Sequence, residues 1–475
     1  MGTLGGVMVY IDKDAKASLY EQIYQQIKSG IAYGSIAKGT RLPGIRTLSK
    51  TLGVARNTVD KAYTQLAVEG YITARIGSGF LVEGSAESLI KREQRSVLPH
   101  SDSHNHPSPG NLPKMEYDFQ YGDFPNRCFP LAAWKRHTAA ALSAAPFHLT
   151  QYSDKQGDLN LRQEIQRYLH HSRDVCCSEE QIVIGCGLQY SLDILCKLFG
   201  NRRKVAMEEP GYLGAREVFR NNGFTFHALT VGKEGLDLTC LQSADVCAAY
   251  VTPSHQFPYG SVLSIVKRKK LLKWAEESHS YIIEDDYDSE YRYDANPVPS
   301  LQSLDRSDRV IYIGTFSKSL SPSLRVNYMV LPQCLLAEYH RRFSSYSSPV
   351  AWLTQEVLSR YMATGEYAQH VRKMCSAYRK RHDTFVQECA ERFGKKIVLH
   401  GRGAGLHFLL EFPHGTDGAE LIDTAEKAGV RVYPLEPFWN SANRCPSNFI
   451  FMGYSLLSEK EIREGIRILQ RVWRL

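Results

Sequence analysis

With 475 residues the chain exceeds what one hydrophobic core usually supports, which points to two or three domains. Hydrophobic residues make up 43% and charged residues 23%, a balance that excludes disorder over most of the length. No run approaches the roughly 18 to 20 apolar residues of a bilayer span and no signal-peptide pattern opens the chain, so a cytoplasmic protein without membrane contact is expected. Eleven cysteines scattered from Cys128 to Cys445 include no CxxC pair, so neither a disulfide framework nor a zinc module is legible and reduced thiols fit best. Residues 1–84 hold ten Lys/Arg against six Asp/Glu, so half of the net charge of +8 sits at the front, where a polyanionic partner fits.

Residues 10–84 read as one domain. Leu19, Ile23, Ile27 and Ile31 recur every four residues and predict a first helix with one buried face. Gly34 and the stretch Lys38–Gly44 break it. Ile45–Leu52 predicts a second helix, Gly53 a turn, and about Ala55–Glu69 a third helix with Val59, Tyr63 and Leu66 inward, ended by Gly70. Two β-runs, Tyr71–Ala74 and Phe80–Val82, flank the turn Arg75–Gly79 and predict a hairpin. A helix, a helix-turn-helix and a β-wing make a DNA-reading unit whose recognition helix presents its first residues to base edges. Arg56, Asn57 and Thr58 occupy that first turn. An arginine there can hold guanine bidentately, whereas Thr58 and the loop residue Arg41 suit phosphate. Arg46, Lys50 and Lys61 add charge on the same helices, and Gly77 and Ser78 at the wing tip let backbone approach a minor groove or a phosphate.

Residues 85–114, rich in Ser, Pro and polar side chains, predict a flexible linker. His100, His104 and His106 within it read as solvated, and no metal site is expected. From 115 to 475, apolar β-runs alternate with longer amphipathic stretches. Ile182–Ile184, Lys204–Met207, Cys247–Val251, Tyr281–Glu284 and Val310–Gly314 read as buried strands, which predicts an α/β domain with a mainly parallel sheet. A helix over Glu366–Arg392, β-runs at Gly405–Phe412 and Arg431–Tyr433 and a final helix from Glu459 predict a smaller α+β subdomain.

Three strand-end motifs in this domain carry chemistry. Lys318 follows the run Val310–Gly314 among the hydroxyls of Thr315, Ser317 and Ser319. A lysine there can form a Schiff base with an aldehyde, while the hydroxyls and Arg325 hold a phosphate, a combination that suits pyridoxal phosphate. Thirty-three residues earlier, Asp285 ends the strand YIIE and can pair with a pyridinium nitrogen, and Tyr287 can bond the phenolate oxygen of the same ring. Asp286, Asp288 and Glu290 read as turn and surface carboxylates. Gly185-Cys186-Gly187-Leu188-Gln189 places small residues at a helix start, where backbone N–H groups and the helix dipole favour an anion.

The stretch Leu19–Val82, with LYEQIYQQIKSGI, GTRLPGIRTLSKTLGVARNTVDKAYTQLAVEGYI and the wing GSGFLV, resembles the winged-helix domain of the GntR regulators. That resemblance implies DNA contacts by Arg46, Arg56, Thr58 and Gly77. The family usually has Ser where Gly44 and Ala55 stand. Glu116–Leu475 resembles the fold-type-I aminotransferases through FQYGDFP, YSDKQGDLNLR, MEEPGY, TPSHQFPYG, EDDYDSEYRY, GTFSKSLSPSLR and GAGLHF, and the whole chain resembles the MocR subfamily. The implied roles are Lys318 as the lysine joined to the cofactor aldehyde, Asp285 at the pyridine nitrogen, Tyr287 at the phenolate oxygen, and Gly187, Leu188, Thr315, Ser317 and Arg325 around the phosphate. Tyr212 is implied against the ring or effector, His255 near the cofactor's oxygen edge, and Tyr152 at the phosphate of the other subunit of a homodimer. The run NFIFMGYS carries Phe451 where such enzymes usually place a carboxylate-binding arginine, and Cys186 replaces a family serine. The resemblance implies a transcription regulator that binds DNA and senses an amine, or the vitamin-B6 cofactor itself. The alternative is a working aminotransferase with an accessory winged helix.

Overall fold

The computed structural model describes residues 9–12, 15, 17–75, 79–83, 115–125, 128–144, 146–232, 235–242, 244–293, 298–441 and 444–474. They fall into two compact units, divided between residues 112 and 113. The expected linker at 85–114 and the wing-tip residues Gly77 and Ser78 lie outside the described residues.

In the first unit the three expected helices run Leu19–Ala32, Ile45–Leu52 and Arg56–Val68. Ile23, Ile27 and Ile31 of the first meet Val59, Ala62, Tyr63 and Leu66 of the third in one core. Gly53, at φ +63°, supplies the left-handed residue that stops the second helix, a conformation that strains any residue with a Cβ. The hairpin pairs Ile72–Arg75 with Gly79–Val82, so Arg75 and Gly79 belong to the strands rather than to the turn. Arg41 requires a correction: it stands in a short strand, Arg41–Leu42, that pairs antiparallel with Phe80–Leu81 and makes the wing three-stranded. The cause is Leu42, which is buried in the core and pulls the backbone alongside the hairpin.

The second unit is built on an eight-stranded sheet in the order 182–185, 327–330, 310–315, 281–286, 248–251, 204–209, 225–232, 235–236. The strands from 310–315 to 225–232 are parallel. Asn327–Val330 runs antiparallel to both its neighbours. Successive side chains point to opposite faces. Ile311 and Ile313 therefore join Leu192, Leu195 and Phe219 of the helices Leu188–Leu198 and Leu213–Asn221, while Tyr312 joins Leu161, Ile165 and Leu358 on the other face. Helices on both faces account for the unbroken apolar runs read in the sequence. A three-stranded antiparallel sheet, Val398–His400, His407–Glu411 and Phe449–Gly453, packs with the helices Glu366–Phe393 and Glu459–Trp473 around a separate core. Of the expected strand Arg431–Tyr433, Arg431 pairs through Val430–Arg431 with Tyr117–Asp118, and Tyr433 bridges to Phe451. No described helix is long and apolar enough to cross a membrane.

Candidate functional site

A cavity of about 270 Å³ lies beyond the carboxyl ends of the central strands, the usual place for a ligand in an open α/β sheet. Lys318, Asp285, Tyr287 and Tyr212 line it, as do Leu188, Thr315, Ser317 and Arg325. Asp285 reaches it because it stands at the end of the strand Tyr281–Asp286, and Lys318 because it follows the neighbouring strand Val310–Thr315.

Lys318 Nζ donates to the Gly122 carbonyl at 3.2 Å and lies 4.2 Å from the centre of the Tyr121 ring. Burial brings its amine down to about 8, against the pull of Asp288, Asp123 and Asp285. Burial raises Asp285 to about 7, although the Tyr250 hydroxyl donates to its Oδ2. Tyr287 donates to the His255 carbonyl at 2.8 Å, and its oxygen lies 3.0 Å from His255 Nδ1. Nδ1 is also 2.9 Å from Asp288 Oδ2, so the carboxylate fixes the proton on that nitrogen. His255 thus stands behind Tyr287 rather than in the cavity wall. His407 approaches the same cluster, and ligand-type atoms of His255, Asp288 and His407 lie within 4.8 Å of one another.

At the other end, Gly187 caps the helix Leu188–Leu198 at φ +119°. Its N–H donates to Asn327 Oδ1 at 2.9 Å, and Asn327 Nδ2 donates to Ser191 Oγ at 2.8 Å. A Cβ on Gly187 would fall 2.0 Å from a guanidinium nitrogen of Arg325. Gly187→Ala should therefore displace Arg325 and strain the turn, weakening pyridoxal phosphate binding by roughly tenfold or more in a fluorescence titration. Unchanged affinity would mean that the contact between Gly187 and Arg325 does not serve cofactor binding.

Asp286, Asp288 and Glu290 are not surface carboxylates. Asp286 accepts from Arg173 Nε at 2.7 Å and from Tyr312, and although its burial acts the other way, Arg173 holds it below the usual carboxylate range. Asp288 is buried against His255, and Glu290 accepts from Tyr168 at 2.9 Å. The acidic run continues from a buried strand, so its side chains meet the basic and hydroxyl groups packed behind the sheet. Tyr152 is 95% exposed and away from the cavity of its own chain.

On the first unit, Arg41, Arg46, Arg56 and Asn57 are exposed and Thr58 is half-buried at the start of the third helix. Neither Gly44 nor Ala55 caps its helix with a side chain. Gly77 lies outside the described residues.

Sequence reasoning misses Tyr121, Gly122, Tyr250, Phe257 and Asn327. FQYGDFP contains Tyr121 and Gly122, and TPSHQFPYG contains Phe257, but nothing in either motif singles out those residues.

The matching family models are "Bacterial regulatory proteins, gntR family" over residues 19–82 and "Aminotransferase class I and II" over residues 118–444. The uncharacterized HTH-type transcriptional regulator YdeL of Bacillus subtilis is 36% identical over 98% of this chain and 99% of its own. The probable rhizopine catabolism regulatory protein MocR of Rhizobium meliloti is 32% identical over 98% of this chain and 95% of its own. Among solved structures, LysN, the α-aminoadipate aminotransferase of Thermus thermophilus complexed with N-(5'-phosphopyridoxyl)-L-leucine, is 27% identical at a TM-score of 0.67, covering 75% of this chain and 92% of that one. A GntR winged helix followed by a fold-type-I aminotransferase domain defines a two-part DNA-binding regulator. The chain belongs to the MocR-type transcription regulators of the GntR family, and the cofactor of its large domain is pyridoxal phosphate. The donor set fits that group: an amine, a carboxylate, hydroxyls and a guanidinium face one cavity.

Proposed function

We propose that this regulator holds pyridoxal phosphate at Lys318 and that an amine, or the cofactor itself, captured there sets its DNA occupancy. The observation that carries the reading is the convergence of Lys318, Asp285, Tyr287 and Arg325 on one cavity. When bound, pyridoxal phosphate supplies an aldehyde carbon that exchanges one primary amine for another. Lys318 provides the resident nitrogen. Asp285 would hold the ring nitrogen's proton, and Tyr287, steadied by His255 and Asp288, would turn its hydroxyl proton from the His255 carbonyl toward the ring oxygen. Leu188, Thr315, Ser317 and Arg325 would bind the phosphate, Gly187, its N–H taken by Asn327, would leave room for the Arg325 guanidinium, and Tyr212 would flank the ring.

Arg46, Arg56, Asn57 and Thr58, with Arg41 and Gly77, would contact DNA. The exposure of Tyr152 supports its reaching the phosphate site of a second copy, so a homodimer is the working assembly, and its role on DNA places it in the cytoplasm. The test is a DNA titration of the full chain after selection of its operator from random sequence, with and without pyridoxal phosphate and then with amines. Affinity should change at least several-fold with the ligand, which must bind the two DNA-affinity states unequally. Equal affinity under all conditions would sink the sensing role.

A further inference from the structure

We propose that the effector is a primary amine with an apolar, preferably aromatic, body and no carboxylate. This rests on the reading that amines are captured at Lys318. Among the described residues lining the cavity, Lys318 and Arg325 are the cations. Arg325 packs on Gly187 and donates to Gln189 Oε1 at 3.3 Å, at the anion end, and Lys318 is the nitrogen that the effector replaces. No third cation in that lining can hold an effector carboxylate, and an unpaired buried carboxylate is costly.

The charges acting on the Lys318 nitrogen are those of Asp288, Asp123 and Asp285, all negative. They repel a carboxylate brought in on an effector's α-carbon. Around Lys318 the wall carries aromatic rings, those of Tyr121, Tyr212, Phe257 and Tyr287. Lys318 Nζ lies over the Tyr121 ring, and Tyr121 and Tyr212 pack on Phe257 at 5.7 and 5.8 Å between ring centres. Phe451 stands directly behind this wall, its buried ring 5.7 Å from Phe257 and 5.8 Å from Tyr121. The Tyr121 hydroxyl is buried with no hydrogen-bond partner among the described residues, which leaves one polar atom for a hydroxyl on the effector. The exchange is redox-neutral: the incoming nitrogen bonds to the aldehyde carbon, Lys318 Nζ gives up its bond to that carbon, and the two protons of the incoming amine end on Lys318.

The test titrates the full chain carrying pyridoxal phosphate with 2-phenylethylamine and, separately, with L-phenylalanine, following the absorbance of the bound cofactor. Half-saturation should come at a concentration at least about tenfold lower for 2-phenylethylamine. Phe451→Arg should narrow or invert that ratio by giving the carboxylate a partner. Because an arginine in this buried position can prevent folding, the wild-type ratio decides by itself. Equal or tighter binding of L-phenylalanine overturns the proposal, and so does a chain that answers neither compound. In the latter case, DNA affinity that still depends on pyridoxal phosphate would leave the proposed function standing.

Discussion

Lys318→Ala is expected to abolish the covalent link to pyridoxal phosphate and the visible absorbance that comes with it. The nitrogen is buried, held by the Gly122 carbonyl and the Tyr121 ring, and faces the same cavity as Asp285. Its environment also fixes how capture of the cofactor depends on pH. The neutral amine attacks an aldehyde and the ammonium does not. Since burial brings Lys318 down to about 8, the neutral fraction is small below that pH, half at it and nearly complete above. Mixing cofactor-free protein with pyridoxal phosphate should therefore give an absorbance that grows faster as pH rises through about 8 and levels off beyond it. A yellow alanine variant, or a rate flat across that range, would contradict the assignment.

The second large effect is expected on DNA. Arg56 begins the third helix and is exposed, so its guanidinium is free to meet a base edge. Arg56→Ala should weaken operator binding by about 1–3 kcal/mol and relax preference at one base position if the contact is bidentate to guanine. Arg46→Ala, if it removes a phosphate contact, should weaken all sequences alike and lower the salt slope by about one. Anisotropy titrations at several salt concentrations separate the two. Loss of affinity without any change of sequence preference in Arg56→Ala would make Arg56 a backbone contact.

The elements that can be read in the sequence are those with a strong period or an unbroken apolar run. Leu19 to Ile31 mark a helix by their spacing, and Ile182, Ile282 and Val310 stand in strands whose two faces are both buried. Thr225–Gly232 escapes because its side chains alternate with exposed ones toward the sheet edge, and it begins with a polar residue. Asn327–Val330 escapes because it follows the lysine loop directly and opens on an asparagine. That asparagine bonds Gly187 and Ser191, contacts that no local pattern encodes. Lys318 and Asp285 are legible since each stands at or just beyond a strand end with a chemically distinctive side chain. Tyr250 is not: it looks like one more apolar residue of Ala248–Val251 until the next strand brings Asp285 alongside. The buried state of Asp286 and Asp288 is hidden for the same reason, since charge in a turn reads as solvation until tertiary partners are known.

The winged helix draws its whole core from residues 9–82. Among the described residues, the side chains that pack the helix presenting Arg56 thus come from a separate stretch of sequence from those that line the cavity. Substitutions in one stretch can therefore alter its own surface while leaving the packing of the other stretch's described residues as it is.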